Sequence, residues 1–261
     1  MKTGTSRDLY DNPRYYEIAF SFRDLKKEVD VFEECFKRFS KIPVRRVLDI
    51  GCGPSPHMEE LARRGYQYVG LDNNKAMLEY SKKKAKDLGA SATFVQSDMK
   101  SFELQYKVDF SFTMLGSIHA RTTEDLLSHF SSVAKALRPG GLYFLDWCIN
   151  FQWDAESDDD QNWAIEKDGV KVKMSFAKDS IIDRGGQIGK YTMVADVDDH
   201  GKKLRFETTE TNRTIFPQEF LLLVDKSGAF DFVGWWNNWN LKEPIEKAKK
   251  IDRPIALILR L

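Results

Sequence analysis

The sequence predicts an α/β fold with a mostly parallel sheet and an antiparallel β insertion, and three observations support this class. Between residues 45 and 145, short apolar runs alternate with amphipathic stretches, as expected of βαβ units. After residue 160 the alternation has a period of two, which is typical of half-buried strands. Turn-forming pairs divide these later segments at 168–169, 185–186 and 200–201. The order predicts a parallel sheet followed by an antiparallel insertion.

Five buried strands are predicted in the first region. Each is a short apolar run bounded by helix or turn signals, and the runs are 47–50, 68–71, 92–95, 108–114 and 142–146. In the second region we expect antiparallel strands between residues 162 and 216. A short helix from 217 to 226 and strands at 230–236 and 255–261 follow.

Residues with capping chemistry mark the expected helices between the first strands. Ser55 is the predicted N-cap of the first helix, with Pro56 at its first position. Asn74 opens the second helix and Gly89 closes it. Thr122 begins a third helix in a sequence that resembles a capping box.

Length and composition favour one large globular domain that carries an insertion. The chain has 261 residues and a mass of 30.2 kDa, close to the size at which single cores stop growing. Hydrophobic residues make up 42% and charged residues 31%, a balance that excludes disordered and membrane classes. Forty basic residues balance forty acidic ones, so no net field attracts nucleic acid or an anionic membrane. We expect neither as a partner.

Cysteine usage and apolar run length indicate a cytoplasmic chain. Cys35, Cys52 and Cys148 are odd in number and far apart, which fits reduced thiols rather than a disulfide framework. No apolar run approaches the roughly 20 residues of a membrane span, and the first twelve residues lack the apolar stretch of a secretory signal. The sequence therefore predicts a soluble, unprocessed protein.

Glycines and carboxylates follow the first three predicted strands, at the edge where an open parallel sheet binds ligands. Gly51 and Gly53 permit a tight turn and close ligand approach. Asp72 can accept both hydroxyls of a ribose, and Asp98 can accept from an exocyclic amine. Each carboxylate alone is more often a helix cap or a loop residue, but their order favours an adenosyl ligand. Pro56 stands where a dinucleotide motif needs glycine, which argues against a nicotinamide cofactor.

Four ordered motifs carry a resemblance to the class I S-adenosylmethionine-dependent methyltransferases. They are segments 47–53, 70–73 with Met77 and Leu78 in the helix behind it, 97–99 and 137–141. The resemblance implies a Rossmann-like, seven-stranded, mostly parallel sheet with helices on both faces and an antiparallel last strand. It also implies S-adenosylmethionine as cofactor and S-adenosylhomocysteine as product. Ser55 departs from the pattern, because many members have a third glycine there.

The resemblance also implies which residues contact the cofactor. By this likeness, segment 49–53 faces the methionine part, Asp72 the ribose, and Asp98 with Met99 the adenine. The full expected set is Tyr15, Arg23, Asp49, Gly51, Cys52, Gly53, Asp72, Asn73, Met77, Ser97, Asp98, Met99 and Leu115.

Residues 10–39 resemble the helical cap that precedes the sheet in small-molecule methyltransferases. Tyr10, Tyr15, Tyr16 and Arg23 are its candidate cofactor contacts. An arginine at this place is suited to the methionine carboxylate. Arg23 is equally explained as an exposed helix residue, and the sequence does not choose.

Methyl transfer from a sulfonium mainly needs alignment, exclusion of water and removal of a proton from the acceptor. His119, beyond the fourth strand, is the candidate general base, and the alternative is a polar loop residue that helps to cap the next helix. Ser117 either orients a substrate or satisfies the hydrogen bonding of its own turn.

Trp147 is the tryptophan expected at the acceptor, whereas most of the other tryptophans are expected to pack in the sheet and at interfaces. Leu115 and Gly116 stand where a catechol-type metal site needs carboxylates, so no metal is predicted.

Together these observations predict an S-adenosylmethionine-dependent methyltransferase of a small-molecule acceptor, with nitrogen favoured over oxygen or carbon. The expected division is a helical cap (1–44), a cofactor-binding domain (45–150 and 217–261) and a β insertion (151–216). The insertion, which resembles accessory sheets of small-molecule N-methyltransferases, covers the site or forms a homodimer interface. The alternative is a non-catalytic module that binds the same cofactor and acts through protein partners, because cofactor motifs prove binding and not turnover.

Overall fold

The computed structural model describes residues 8–152 and 161–261. Residues 1–7 of the expected cap and residues 153–160 of the expected insertion, which hold an acidic run, lie outside the described residues. The helices are α1 (Pro13–Ala19), α2 (Leu25–Phe39), α3 (Met58–Arg63), α4 (Lys75–Leu88), α5 (Thr123–Ala136) and α6 (Pro217–Ser227). The strands are β1 (Arg46–Ile50), β2 (Gln67–Asp72), β3 (Ala92–Gln96), β4 (Val108–Thr113), β5 (Leu137–Asp146), β6 (Gln161–Lys167), β7 (Val170–Asp183), β8 (Ile188–Asp199), β9 (Lys202–Arg213), β10 (Phe230–Trp236) and β11 (Ile255–Arg260).

Seven strands form the main sheet, in the order β10-β11-β5-β4-β1-β2-β3. The neighbours from β3 to β5 pair in parallel, whereas β11 is antiparallel to both β5 and β10. The strand order reverses between β1 and β4, so the chain leaves these two paired strands toward opposite sides and a crevice opens beyond their carboxyl ends. The predicted fold class, with its antiparallel last strand, is confirmed.

Helices cover both faces of the main sheet and bury its apolar side chains. On one face α5 and α6 pack through residues such as Phe130 and Phe220. On the other face α2, α3 and α4 pack around Phe32, whose ring contacts those of Phe110, Phe144 and Trp239. None of the helices in the described ranges combines the length and apolar character needed to cross a membrane.

The inserted sheet has the order β6-β7-β8-β9, and every neighbouring pair is antiparallel. Its inner face packs on α1 and on the short 3₁₀ turn Leu9–Asp11, and the shared core includes Ile18, Val172 and Phe206. The Trp163 indole N–H donates to the carbonyl of Ala19 (2.8 Å). The cap and the insertion therefore form one apolar cluster beside the main sheet.

The capping predictions are confirmed for two helices and wrong for one. The Asn74 side chain accepts from the Met77 N–H, Gly89 ends α4 with a left-handed backbone, and Thr122 forms a capping box. Ser55 does not cap α3, which begins three residues later at Met58. Its φ of +52° is incompatible with the extended backbone of an N-cap, and its buried hydroxyl has no partner within the described residues.

Candidate active site

Two adjoining cavities lie at the carboxyl edge of the main sheet, and Tyr16, Gly51, Gly53 and Ser117 line both of them. The first cavity has a volume of about 720 Å³, and it is lined by the end of β2, by residues 97–100 after β3, by residues 117, 119 and 121, and by residues 209–211 of β9. The second cavity has a volume of about 350 Å³, and it lies between the loop after β1, the cap and residues 114–117.

The loop after β1 is held against the end of β2 by Asp72. One Asp72 carboxylate oxygen accepts the Gly53 N–H and the other accepts the Asn74 N–H, both at 2.8 Å. Burial raises the pKa of the Asp72 carboxyl, although these N–H groups oppose the shift. Gly51 has a φ of +72°, and a Cβ there would stand 3.3 Å from the Met99 Cε. The loop thus presents bare backbone and a fixed carboxylate to the first cavity.

Asp49 lies at the end of β1 and lines the second cavity. Its side chain is buried, and the Tyr68 hydroxyl donates to it at 2.7 Å. Burial raises the pKa of the Asp49 carboxyl to about 7, because the charged form loses its hydration. Asp49 can therefore exchange a proton near neutral pH when a charged group binds beside it.

Met99, after β3, is positioned by a chain of buried hydrogen bonds. The His129 imidazole joins the Met99 carbonyl (2.8 Å) to the Tyr143 hydroxyl (2.8 Å), which in turn contacts the Thr113 hydroxyl. Burial lowers the pKa of His129 to about 4, so its ring is neutral and donates through Nδ1 to the carbonyl. Ser97, Asp98 and Met99 all line the first cavity.

His119 faces the first cavity from the segment after β4. Its backbone N–H donates to the Met99 sulfur (3.4 Å), and its side chain is 41% exposed. The imidazole Nδ1 lies 3.6 Å from a carboxylate oxygen of Glu210 on β9. The inserted sheet thus brings an acid next to the predicted base.

A buried ionic network borders the second cavity. Glu28 of α2 pairs with Arg23 through both carboxylate oxygens and accepts from the His57 imidazole at 2.8 Å. Burial lowers the pKa of His57 to about 4, so the neutral ring donates to the carboxylate. Arg23 lines the cavity with a side chain that is only 4% exposed. It is therefore buried and paired, rather than an exposed helix residue.

The same network continues to the loop after β4 through Asp146. Arg253 bridges Glu28 (2.8 Å) and Asp146 (2.7 Å), and its guanidinium stacks on the Trp239 ring. Asp146 also accepts the N–H of Leu115 at 2.9 Å. Leu115 has a φ of +54° and lines the second cavity, so the network fixes a strained turn at the cavity wall.

Two predicted site residues lie away from both cavities. The Tyr15 hydroxyl donates to Asp199 (2.9 Å) and its ring packs on Phe206 of the inserted sheet. Trp147 is 41% exposed, and its φ of +58° directs the chain out of β5. Neither lines either of these two cavities, so their positions do not support the expected cofactor and acceptor contacts.

The remaining predicted residues are brought together. Those that line the first cavity are Gly51, Gly53, Asp72, Asn73, Met77, Ser97, Asp98, Met99, Ser117 and His119. Those that line the second are Arg23, Asp49, Gly51, Cys52, Gly53, Leu115 and Ser117. Across residues 8–152 and 161–261, no group of three or more His, Cys, Asp or Glu side chains is arranged to hold a metal ion.

Sequence comparison agrees with this geometry. Residues 47–141 match a family described as a methyltransferase domain. The ubiquinone biosynthesis O-methyltransferase of Vibrio cholerae is 36% identical over 104 residues, which are 38% of this chain and 40% of that protein. The chain therefore matches less than half the length of this relative.

Solved structures match nearly the whole chain. A methyltransferase from Clostridium acetobutylicum, described as S-adenosylmethionine-dependent, has a TM-score of 0.75 and 18% identity and covers 94% of this chain and 95% of its own. CalS10, an amino pentose methyltransferase from Micromonospora echinaspora solved with S-adenosylmethionine bound, has a TM-score of 0.71, 18% identity and coverages of 94% and 96%. The sugar N-methyltransferase KedS8 from Streptoalloteichus has a TM-score of 0.69, 18% identity and coverages of 94% and 92%.

The fold is a class I methyltransferase architecture with an inserted β-sheet. Residues 47–141 match a methyltransferase-domain family, and the chain has the fold of solved S-adenosylmethionine-dependent methyltransferases. The resemblance carried by the four sequence motifs is confirmed.

Proposed function

We propose that the protein is an S-adenosylmethionine-dependent methyltransferase that acts on a nitrogen atom of a small molecule. The observation that carries the proposal is the fixed Asp72 carboxylate at the first cavity, with both oxygens oriented by backbone N–H groups. Such a carboxylate suits the two hydroxyls of a ribose. The methyltransferase domain match over residues 47–141 supports the same cofactor.

The residues on the cavity walls fit this cofactor. Asp72 would hold the ribose, while Asp98 and Met99 would hold the adenine amine and face. The bare backbone at Gly51 leaves room that a Cβ would fill against Met99. Arg23 and Asp49 would meet the carboxylate and ammonium of the methionine part in the second cavity.

The bound cofactor would supply an electrophilic methyl group on a sulfonium. The protein's part is to hold the acceptor in line, to exclude water and to take a proton. His119 would receive the proton of an acceptor amine, and the Glu210 carboxylate beside it would stabilise the resulting imidazolium. Tyr16 and Ser117, which line both cavities, would border the transfer path.

Nitrogen is favoured over oxygen as the acceptor atom by the solved structures that match nearly the whole chain, including the inserted sheet. The solved structures whose fold covers 94% of this chain include an amino pentose methyltransferase and the sugar N-methyltransferase KedS8. Residues 209–211 of β9 line the first cavity and Lys167 of β6 lines the second. We therefore propose that the insertion covers the acceptor side of the site.

The cofactor assignment is tested by calorimetric titration with S-adenosylmethionine and S-adenosylhomocysteine, with NADH as a negative control. Both adenosyl ligands should bind, and Asp72→Asn should weaken them by about tenfold or more, because a charge-assisted hydrogen bond is lost. Asp87→Asn, an exposed carboxylate on α4, is the matched control and should leave both affinities unchanged. The proposal fails if neither adenosyl ligand binds the unmodified protein.

A further inference from the structure

Glu210 occupies an inner-face position of the inserted sheet. Alternate residues of β9 point to one face, and Leu204, Phe206 and Thr208 on that face pack toward the cap. Glu210 is the next residue in this series and lines the first cavity. A face that is otherwise apolar or hydrogen-bonded thus ends in a carboxylate at the point where it passes over the cavity.

Two side chains that contact the Glu210 carboxylate are the His119 imidazole and the Tyr10 phenol, and neither carries a permanent positive charge. The His119 imidazole is its ion-pair partner within the described ranges, at 3.6 Å, which is longer than a hydrogen bond. The Tyr10 hydroxyl donates a hydrogen bond to the same carboxylate, and burial, the neighbouring Tyr16 phenol and the Glu210 carboxylate raise the pKa of the Tyr10 phenol. Glu210 is 28% exposed, so the carboxylate still reaches the cavity.

The charges around the first cavity favour a cation. Five carboxylates line it, against the permanent cations Lys100 and Arg121. Four of these carboxylates already have backbone, hydroxyl or lysine partners, and they are Asp8, Asp72, Asp98 and Asp125. Glu210 also has a hydroxyl partner, Tyr10, but in the described residues its ion-pair partner is an imidazole and not a lysine or arginine, so this carboxylate can still meet a cationic ligand.

We propose that Glu210 is the specificity residue for the acceptor: it binds a protonated amine and holds it beside His119. The inference rests on the proposed function. The bound ammonium gives one proton to the His119 imidazole, and its freed lone pair forms the bond to the methyl carbon. The methyl–sulfur bond breaks with its electron pair going to sulfur, which leaves a thioether and a methylated ammonium. A hydroxyl acceptor of the same shape carries no charge for Glu210 to bind.

The test compares Glu210→Gln with Glu207→Gln, a matched change on the outward face of the same strand, where the side chain is exposed. All proteins are first titrated with S-adenosylhomocysteine. They are then supplied with trideuteromethyl-labelled S-adenosylmethionine and an equimolar pool of small amines, including amino sugars, with the matching alcohols, and labelled products are identified by mass spectrometry. Glu210→Asp serves as the conservative variant.

We expect all variants to bind S-adenosylhomocysteine alike and the unmodified protein to label amines only. Glu210→Gln should raise the acceptor KM at least tenfold, with a smaller change in kcat, while Glu207→Gln stays within twofold and Glu210→Asp recovers part of the loss. Labelling of alcohols, an unchanged KM in Glu210→Gln, or no labelled product from protein that binds S-adenosylhomocysteine would overturn the inference. Failure of all proteins to bind S-adenosylhomocysteine would instead reject the proposed function.

Discussion

The Glu28 carboxylate and the Arg253 guanidinium lie 2.8 Å apart although 225 positions separate them in the chain. Glu28 belongs to the cap helix α2, and Arg253 precedes the last strand of the main sheet. Arg253 also binds Asp146 at the end of β5. This pair therefore ties the cap to two strands of the main sheet beside the second cavity.

Replacing Glu28 by Gln should destabilise the fold strongly. Arg23 would lose its carboxylate partner and Arg253 one of its two, and breaking a buried pair typically costs about 3–5 kcal/mol. Urea titration should show the free energy of unfolding reduced by about that amount. Glu34→Gln, which removes a half-exposed partner of Arg38 from the same helix, should cost less than about 1 kcal/mol. Equal losses in the two variants would contradict a structural role for the buried network.

Cofactor binding should release a proton near neutral pH. The pKa of the buried Asp49 carboxyl is about 7, so the group is partly protonated there. An ammonium group bound beside it would favour the carboxylate and expel the proton. Titration with S-adenosylhomocysteine at pH 7, in buffers of different ionisation enthalpy, should show net proton release, and affinity should rise as the pH increases through 7. Proton uptake, or none, would contradict this account.

The Asp49→Asn variant should be more stable than the unmodified protein and should bind the cofactor less tightly. In the unfolded chain an aspartate ionises near pH ~4, whereas the folded group keeps its proton up to about 7. The folded state therefore binds more protons between these values, and stability falls as the pH rises through this window. Asn removes that penalty, so the free energy of unfolding at pH 7 should increase by about 1 kcal/mol or more in urea titrations. The proton release on binding should disappear.

Local signals explain why much of the architecture could be predicted from the sequence. The predictions of the strand at 230–236 and of the caps at Asn74 and Gly89 agree with the structure. Both depend on signals that extend over only a few residues, namely the spacing of apolar side chains and the chemistry of the capping residues. Tyr15 and Tyr16 show the limit of such signals. Adjacent helical residues point about 100° apart, and packing on the inserted sheet turns Tyr16 to the cavities and Tyr15 away.

The residues that the sequence analysis missed depend on contacts between distant segments. Glu28 offered one local signal, because it precedes Phe32 by four residues and Cys35 by seven, which places it on the buried face of α2. An acid on that face requires a partner, but nothing local indicates Arg253. The roles of His129 and Glu210 likewise cannot be predicted from the sequence, because they depend on contacts with Met99 and His119 that only the fold creates.

Gly51→Ala should impair cofactor binding more than folding. A Cβ at Gly51 would approach the Met99 Cε to 3.3 Å and would narrow the first cavity, in addition to straining a backbone of positive φ. Gly65→Ala is the control, because its φ is also positive but no atom lies within 4 Å of the added Cβ. Both variants should lose about 1 kcal/mol in urea titrations, while only Gly51→Ala should weaken S-adenosylhomocysteine binding, by at least tenfold in calorimetry. Equal affinities would mean that the loop does not approach the ligand.

His119→Ala should abolish most methyl transfer while leaving the cofactor bound. The imidazole lines the first cavity and is largely accessible, whereas the His119 backbone N–H, which contacts Met99, is retained in the variant. Loss of a general base typically lowers turnover about 10²- to 10⁴-fold. Turnover is measured with the acceptor identified from the amine pool, and affinity with S-adenosylhomocysteine. His200→Ala, an exposed histidine in a turn of the inserted sheet, should match the unmodified protein in both measurements. Unchanged turnover in His119→Ala would remove this residue from the mechanism, and binding without turnover in the unmodified protein would favour a module that binds the cofactor without catalysis.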